Sequence, residues 1–167
     1  LYEYTQKIIN KALDKKADEV IVSASYGYNS RISYEKNDFN IASSHEGTGF
    51  SINIHKDYKS GTASINSLDE DEMDRTIDQA LSMAKFSVPD EYVAIAPKAD
   101  YVDLERPFDA SILDLKSASL LDLTNTIIQE ARKDKRVSLD GASVDRSVMA
   151  RVIANSNGVN AQEYGSS

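Results

Sequence analysis

Gly49-Phe50-Ser51-Ile52-Asn53-Ile54-His55 and Thr62-Ala63-Ser64-Ile65-Asn66, followed at once by Ser67-Leu68-Asp69-Glu70, decide the fold. In the first run Phe50, Ile52 and Ile54 alternate with polar residues, the period of a half-buried strand. Asp57 to Gly61 forms a hairpin loop of ordinary length, and Thr62 to Asn66 is the returning strand. Ser67 fits a helix N-cap, with Glu70 three residues on to complete a capping box. The helix runs to about Lys85 and turns Met73, Ile77, Ala80, Leu81 and Ala84 inward. Strand, tight turn, strand and helix in this order point to antiparallel sheet rather than to a parallel, doubly wound one.

Upstream, Leu1 to Lys16 places Leu1, Tyr4, Ile8, Ile9, Ala12 and Leu13 at helical spacing, with Lys7, Lys11, Asp14 and Lys15 on the polar side. Glu19 to Tyr26 alternates as a strand; Gly27-Tyr28-Asn29 reads as a turn and Ser30 to Glu35 as a second strand. A turn at Lys36-Asn37-Asp38 leads to a short strand through Phe39, Ile41 and Ser43. Downstream, Ser87 to Pro107 holds all three prolines and no clear period, which reads as a connection. A third helix starts at Ser111 or Ser117 and reaches about Lys133, with Leu113, Leu120, Leu121, Ile127, Ile128 and Ala131 as its stripe. Val148, Ala150, Val152 and Ala154 share one face of a strand, and Asn157-Gly158 signals a hairpin into Val159 to Tyr164. The expected architecture is α+β, antiparallel β meanders packed against helices in two α+β subdomains. Residues 1–86 form the first, 87–110 a linker, and 111–167 the start of a second, truncated at its C-terminus.

The whole chain has 167 residues, enough for one core without disulfide or metal staples. With 27 acidic and 19 basic side chains the net charge is −8, the reverse of a nucleic-acid footprint and unsuited to an anionic membrane surface. Zero cysteines exclude disulfides, thiolate zinc sites and cysteine nucleophiles, and fit a cytoplasmic setting. The chain begins at Leu1 and stops just after a strand-like stretch, so it reads as a piece of a longer protein.

The residues that carry chemistry are few. His45-Glu46-Gly47-Thr48-Gly49 starts like a zinc-peptidase helix motif but lacks the second histidine, and its glycines oppose a helix. His55 ends a strand and reads as a surface or edge histidine. The acids from Asp69 to Asp74 suit a helix N-terminus, where the dipole favours carboxylates, and lack the central glycine of a calcium loop. Gly47 to Ile52 lacks the third glycine and following helix of a dinucleotide loop. No Gly-x-Ser-x-Gly elbow occurs. Tyr2, Tyr4, Tyr26, Tyr28 and Tyr34 sit in or beside apolar stripes, where packing is their default role.

Several pieces together resemble the TldD/PmbA family, also called modulator of DNA gyrase. They are Lys16-Ala17-Asp18-Glu19-Val20, Gly47-Thr48-Gly49-Phe50-Ser51-Ile52, Lys59 to Leu68 with its Gly61-x-Ala63-Ser64 entry into a helix ending at Ala84-Lys85, Gly141-Ala142-Ser143, and Ala154-Asn155-Ser156-Asn157-Gly158. The resemblance implies the N-terminal region of a cytoplasmic zinc-dependent peptidase system acting on peptides. In that family the TldD type carries a His-Glu-x-x-x-His motif, and the PmbA or TldE type lacks it and serves as partner. Lys85 to Tyr92 leans to the PmbA type. The motif is absent from this chain, so no catalytic, metal or cofactor residue is carried over; zinc belongs to the full-length parent or its partner. Gly47, Gly49, Gly61, Ala63, Ser64, Asn155, Ser156 and Gly158 are carried as structural motif residues. The implied partners are a peptide substrate and a second TldD/PmbA-type subunit in a homo- or heterodimer, with no nucleic acid and no membrane. Two other readings stand beside it: a stand-alone binding or assembly module, and an independent hydrolase using carboxylates such as Glu46 or Asp140. The parent reading frame discriminates the first from the family reading, and no spacing singles out the carboxylates of the second.

Overall fold

A computed structural model of the chain describes residues 1–35, 38–99 and 108–167. The elements are α1 (Tyr2–Asp14), β1 (Glu19–Glu35), β2 (Asp38–Lys56), β3 (Lys59–Ile65), α2 (Glu70–Phe86), a 3-10 turn (Ala110–Asp114), α3 (Ser117–Ala131), β4 (Gly141–Asn155) and β5 (Asn160–Ser166). The strands form one antiparallel sheet in the order β3-β2-β1-β4-β5, so the fold is α+β. Among the described residues, no helix is long and apolar enough to cross a membrane.

Two strands are longer than the sequence suggested. The turn expected at Gly27-Tyr28-Asn29 does not form, and β1 runs straight through it. The reason lies in parity: Val20, Val22 and Ala24 are buried before that point, and Ser30, Ile32 and Tyr34 after it. All are even-numbered, so one register of alternation spans the whole strand. Likewise β2 absorbs both strands expected between Phe39 and His55. The turn placed at Lys36-Asn37-Asp38 involves residues outside those described, as does the linker stretch 100–107.

The β2–β3 hairpin is tighter than a five-residue loop. Lys56 pairs with Lys59, leaving only Asp57 and Tyr58 to turn, with φ of 52° and 60°. Both are left-handed, the conformation of a type I′ turn matched to strand twist. Neither residue is glycine, which is why the sequence did not signal it.

The capping expectation also changes by two residues. Asp69, not Ser67, is the N-cap of α2; its Oδ1 accepts from Glu72 N–H at 3.0 Å. Ser67 Oγ accepts from Asp69 N–H one turn earlier, so it shapes the entry rather than capping the helix. Inward residues are Met73, Thr76, Ile77, Ala80 and Ala84, with Leu81 partly buried.

The chain divides into two compact units. The first comprises 1–26, 47–104 and 150–163, and the second 27–46, 105–149 and 164–167. They interleave along the sequence, because β1, β2, β4 and β5 each have residues in both. In the first unit Ile8, Ile9 and Ala12 of α1 and Met73, Ile77 and Ala80 of α2 close over Val20, Val22, Phe50, Ile52 and Ile54. In the second, α3 buries Leu120, Thr124 and Ile128 at four-residue spacing. Leu113 and Ile127, expected inside, are half exposed. Two tyrosines of β1 in that unit carry arginines. The Arg132 side chain donates to Tyr34 Oη at 2.8 Å, and the Arg146 guanidinium lies 4.5 Å from the Tyr28 ring centre. Arg146 also donates to the Leu115 carbonyl just ahead of α3.

The two helices of the first unit are joined by a ladder of charge. Lys7 pairs with Glu70, Lys11 with Asp74 at 2.6 Å, and Lys15 with Asp78 at 2.6 Å. The offset is constant along both helices, so α1 and α2 run in the same direction.

Candidate functional site

β3 approaches α2 closely at Gly61. A Cβ added to Gly61 would stand 3.0 Å from Ala84 Cα and closer still to Ala84 N and Ala80 O, all backbone atoms of α2. Only glycine permits that approach. Ala63, next on the same face, is buried with 7% exposure. Ser64 lies on the opposite face and is exposed. Thus Gly61-x-Ala63-Ser64 is a seat for α2, built by making one face of β3 almost flat.

The second motif is a hydrogen-bonded lock. Asn155 ends β4 and is buried. Its Oδ1 accepts from Asn157 N–H at 3.0 Å and Val159 N–H at 2.9 Å, which fixes the hairpin. Its Nδ2 donates to the Ala96 carbonyl at 2.7 Å, which ties down the connecting segment. Ser156 exchanges two bonds with Val20: its N–H donates to the Val20 carbonyl, and its Oγ accepts from Val20 N–H at 3.1 Å. Gly158 supplies the left-handed position of the turn, φ 88°. The expected hairpin at Asn157-Gly158 is present. The role of Asn155 and Ser156 as its fasteners is legible only once β1 and the Ala96 segment are placed.

Gly47 and Gly49 lie within β2, which continues unbroken past both. His45 and Glu46 are exposed on the same strand, and Asp140 is exposed just before β4. His55 is not a surface residue: it is 8% exposed, and its Nδ1 lies 3.1 Å from Glu19 Oε2. Nearby Asp18 Oδ2 accepts from Asp57 N–H at 2.8 Å, and Asp18 N–H donates to the His55 carbonyl. These contacts clamp the start of β1 to the end of β2. The acidic run has a second role beyond capping. The Lys11 hydrogen bond holds the Asp74 carboxyl below its ordinary range, and the Lys7 hydrogen bond does the same for Glu70.

Residues 20–84 match the family model described as PmbA/TldA metallopeptidase domain 1. Over these residues the chain is similar to the first domain of the TldD/PmbA family. Its fold is similar to that of TldE from Thermococcus kodakarensis, with 25% identity, a TM-score of 0.84, and coverage of 96% of this chain and 36% of that one. It is also similar to a proposed modulator of DNA gyrase from Thermotoga maritima, at 17% identity, TM-score 0.84 and coverage of 99% and 37%. A protein described in the same way from Bacteroides thetaiotaomicron has 20% identity, TM-score 0.84 and coverage of 99% and 38%. The chain therefore spans little more than a third of these structures. A search of curated proteins gives no match.

The donor set of this chain does not suit the zinc that the matched model's metallopeptidase name implies. Zinc is held by three or four nitrogen, sulfur or carboxylate donors converging on one point. Among the described residues no group of three or more His, Asp or Glu side chains converges in that way. His55 is engaged by Glu19, and His45 belongs to the other unit. No step through a metal is assigned to these residues.

Proposed function

We propose that this chain is a non-catalytic scaffold and substrate-chamber domain of a TldD/PmbA-type zinc-dependent peptidase that acts on unfolded peptides. The carrying observation is what its family-like residues do. Gly61 seats a helix, and Asn155 and Ser156 fasten a hairpin; none of these side chains is left aimed at a reacting group. The similarity to TldE at 25% identity supports the PmbA/TldE side of the family. In this reading the parent works in the cytoplasm as a homo- or heterodimer with a TldD/PmbA-type subunit, and any zinc is held outside this chain.

The test is an unfolded-peptide cleavage assay on the 167-residue chain, beside the full-length parent with and without its partner subunit. The chain alone is expected to cleave nothing, with or without added zinc, while the assembled parent turns over. Zinc-dependent cleavage by the chain alone that disappears in His45→Ala overturns the scaffold reading. A parent that stays monomeric beside its natural partner removes the assembly part.

A further inference from the structure

β3 forms one edge of the sheet. The two-residue turn makes Lys56 and Lys59 a hydrogen-bonded pair, so the ladder to β2 is made by Lys59, Gly61, Ala63 and Ile65. The N–H and C=O groups of Ser60, Thr62 and Ser64 therefore point away from β2. Among the described residues no backbone bond reaches them; at this margin only the Tyr58 carbonyl is taken, by Asp90 N–H at 2.7 Å.

Proteins usually blunt such an edge with charge, proline, a bulge or a covering element. From Ser60 to Ser67 the chain has no charged residue and no proline. The pairing of Lys59 to Ile65 with β2 steps one residue at a time, without a bulge. The side chains of Ser60, Thr62 and Ser64 are small, uncharged and exposed. The opposite face is roofed by α2, seated directly on Gly61. Because Glu70, Asp74 and Asp78 turn toward α1, the other flank of α2 lies on the outer side of β3, and it carries the half-exposed Met83.

We propose that the outer edge of β3 binds an extended peptide by strand addition. The peptide main chain pairs with Ser60, Thr62 and Ser64, and alternate side chains lie beneath Met83 or over the hydroxyl-bearing face. A second copy of this chain paired antiparallel does not fit. Paired strands lie about 4.8 Å apart, whereas packed helices need about 8–10 Å between axes, and each copy would bring an α2 seated directly above its own β3. A strand with no helix layer of its own avoids that collision. The inference takes its ligand class, a peptide, from the proposed function; the edge itself rests on geometry.

The experiment measures fluorescence anisotropy of the 167-residue chain with a labelled peptide, Lys-Thr-Val-Thr-Val-Thr-Lys. Two further peptides carry N-methyl groups on one or the other alternate set of amides. Strand addition uses only one set, so one methylated peptide loses tenfold or more in affinity and the other keeps it. Thr62→Pro, which removes an N–H that the fold does not use, is expected to weaken binding by at least tenfold. Should that variant fail to fold, the methylation comparison on the unaltered chain decides alone. Equal binding of all three peptides overturns the edge while leaving peptide handling by the scaffold intact. No binding of any of them also overturns the edge, and the scaffold reading then stands or falls on the cleavage assay of the parent.

Discussion

Gly61 of β3 lies so close to Ala84 of α2 that strand and helix touch backbone to backbone. Gly61→Ala forces the helix outward or bends the strand, and overpacking of this kind costs about 1–3 kcal/mol. A lower denaturation midpoint with an unchanged slope is the expected result. A midpoint equal to that of the native chain would show that α2 is not seated there.

Asp69 caps α2, and Ser67 does not. Asp69→Ala is expected to cost roughly 0.5–2 kcal/mol, the usual loss for an N-cap acceptor. Ser67→Ala should cost clearly less, since Ser67 Oγ bonds only the exposed Asp69 N–H. Paired denaturant titrations rank the two, and the reverse order refutes the assignment.

The lysine–acid ladder makes stability depend on pH from both sides. The Glu70 and Asp74 carboxyls lie below their ordinary values of 4.5 and 3.8 in the folded chain. Their contribution is complete above those values and is lost as pH falls through the lower, folded ones. Lys11 is raised above 10.5, chiefly by its hydrogen bond to Asp74. Its share is complete below 10.5 and is lost as pH rises through the higher folded value. Midpoints measured across pH should fall at both ends, and Asp74→Asn should flatten both limbs. High salt should lower the neutral plateau, because these pairs are largely exposed.

Asn155 makes three bonds with one side chain, two as acceptor and one as donor. Asn155→Ala leaves the buried Val159 N–H, and the part-buried Asn157 N–H and Ala96 carbonyl, without this partner and is expected to cost about 1–3 kcal/mol. Asn155→Asp keeps the acceptor but sets an oxygen against the Ala96 carbonyl, so it should also destabilise. Proteolysis within 93–98 should accelerate in both variants. Unchanged cleavage there would mean that the carboxamide does not restrain that segment.

Tyr58 holds φ 60° with its ring largely in solvent. Tyr58→Gly removes a left-handed strain and loses little packing, so the midpoint should rise by about 0.5–1 kcal/mol equivalent. A fall would show that the ring contributes more than the backbone strain costs.

The sequence made the hairpin, α2 and the antiparallel class legible because each rests on local periodicity. It hid the length of β1, since Gly27-Tyr28-Asn29 has turn composition and only its neighbours on β4, such as Arg146 over Tyr28, show that the chain stays extended. It hid the cap because Ser67 and Asp69 are both good acceptors, and the choice between them depends on where α2 docks. The four-residue spacing of Lys7, Lys11 and Lys15 and that of Glu70, Asp74 and Asp78 were both visible, but pairing them needs the helices side by side. At the site, the glycine and asparagine motifs were readable as positions. Their duties were not, because each is defined by a partner far along the chain: Ala84 for Gly61, Ala96 and Val20 for Asn155 and Ser156.

The parallel ladder sets a timetable for synthesis. Each lysine of α1 waits for an acid 63 residues later. At the usual pace of about 5–20 residues per second, translation takes roughly 3–13 s to deliver it. During that interval the apolar stripe of Ile8, Ile9 and Ala12 has no α2 to meet and stays open on that side. Slower codons ahead of residue 70 would prolong that exposure, and faster ones would shorten it.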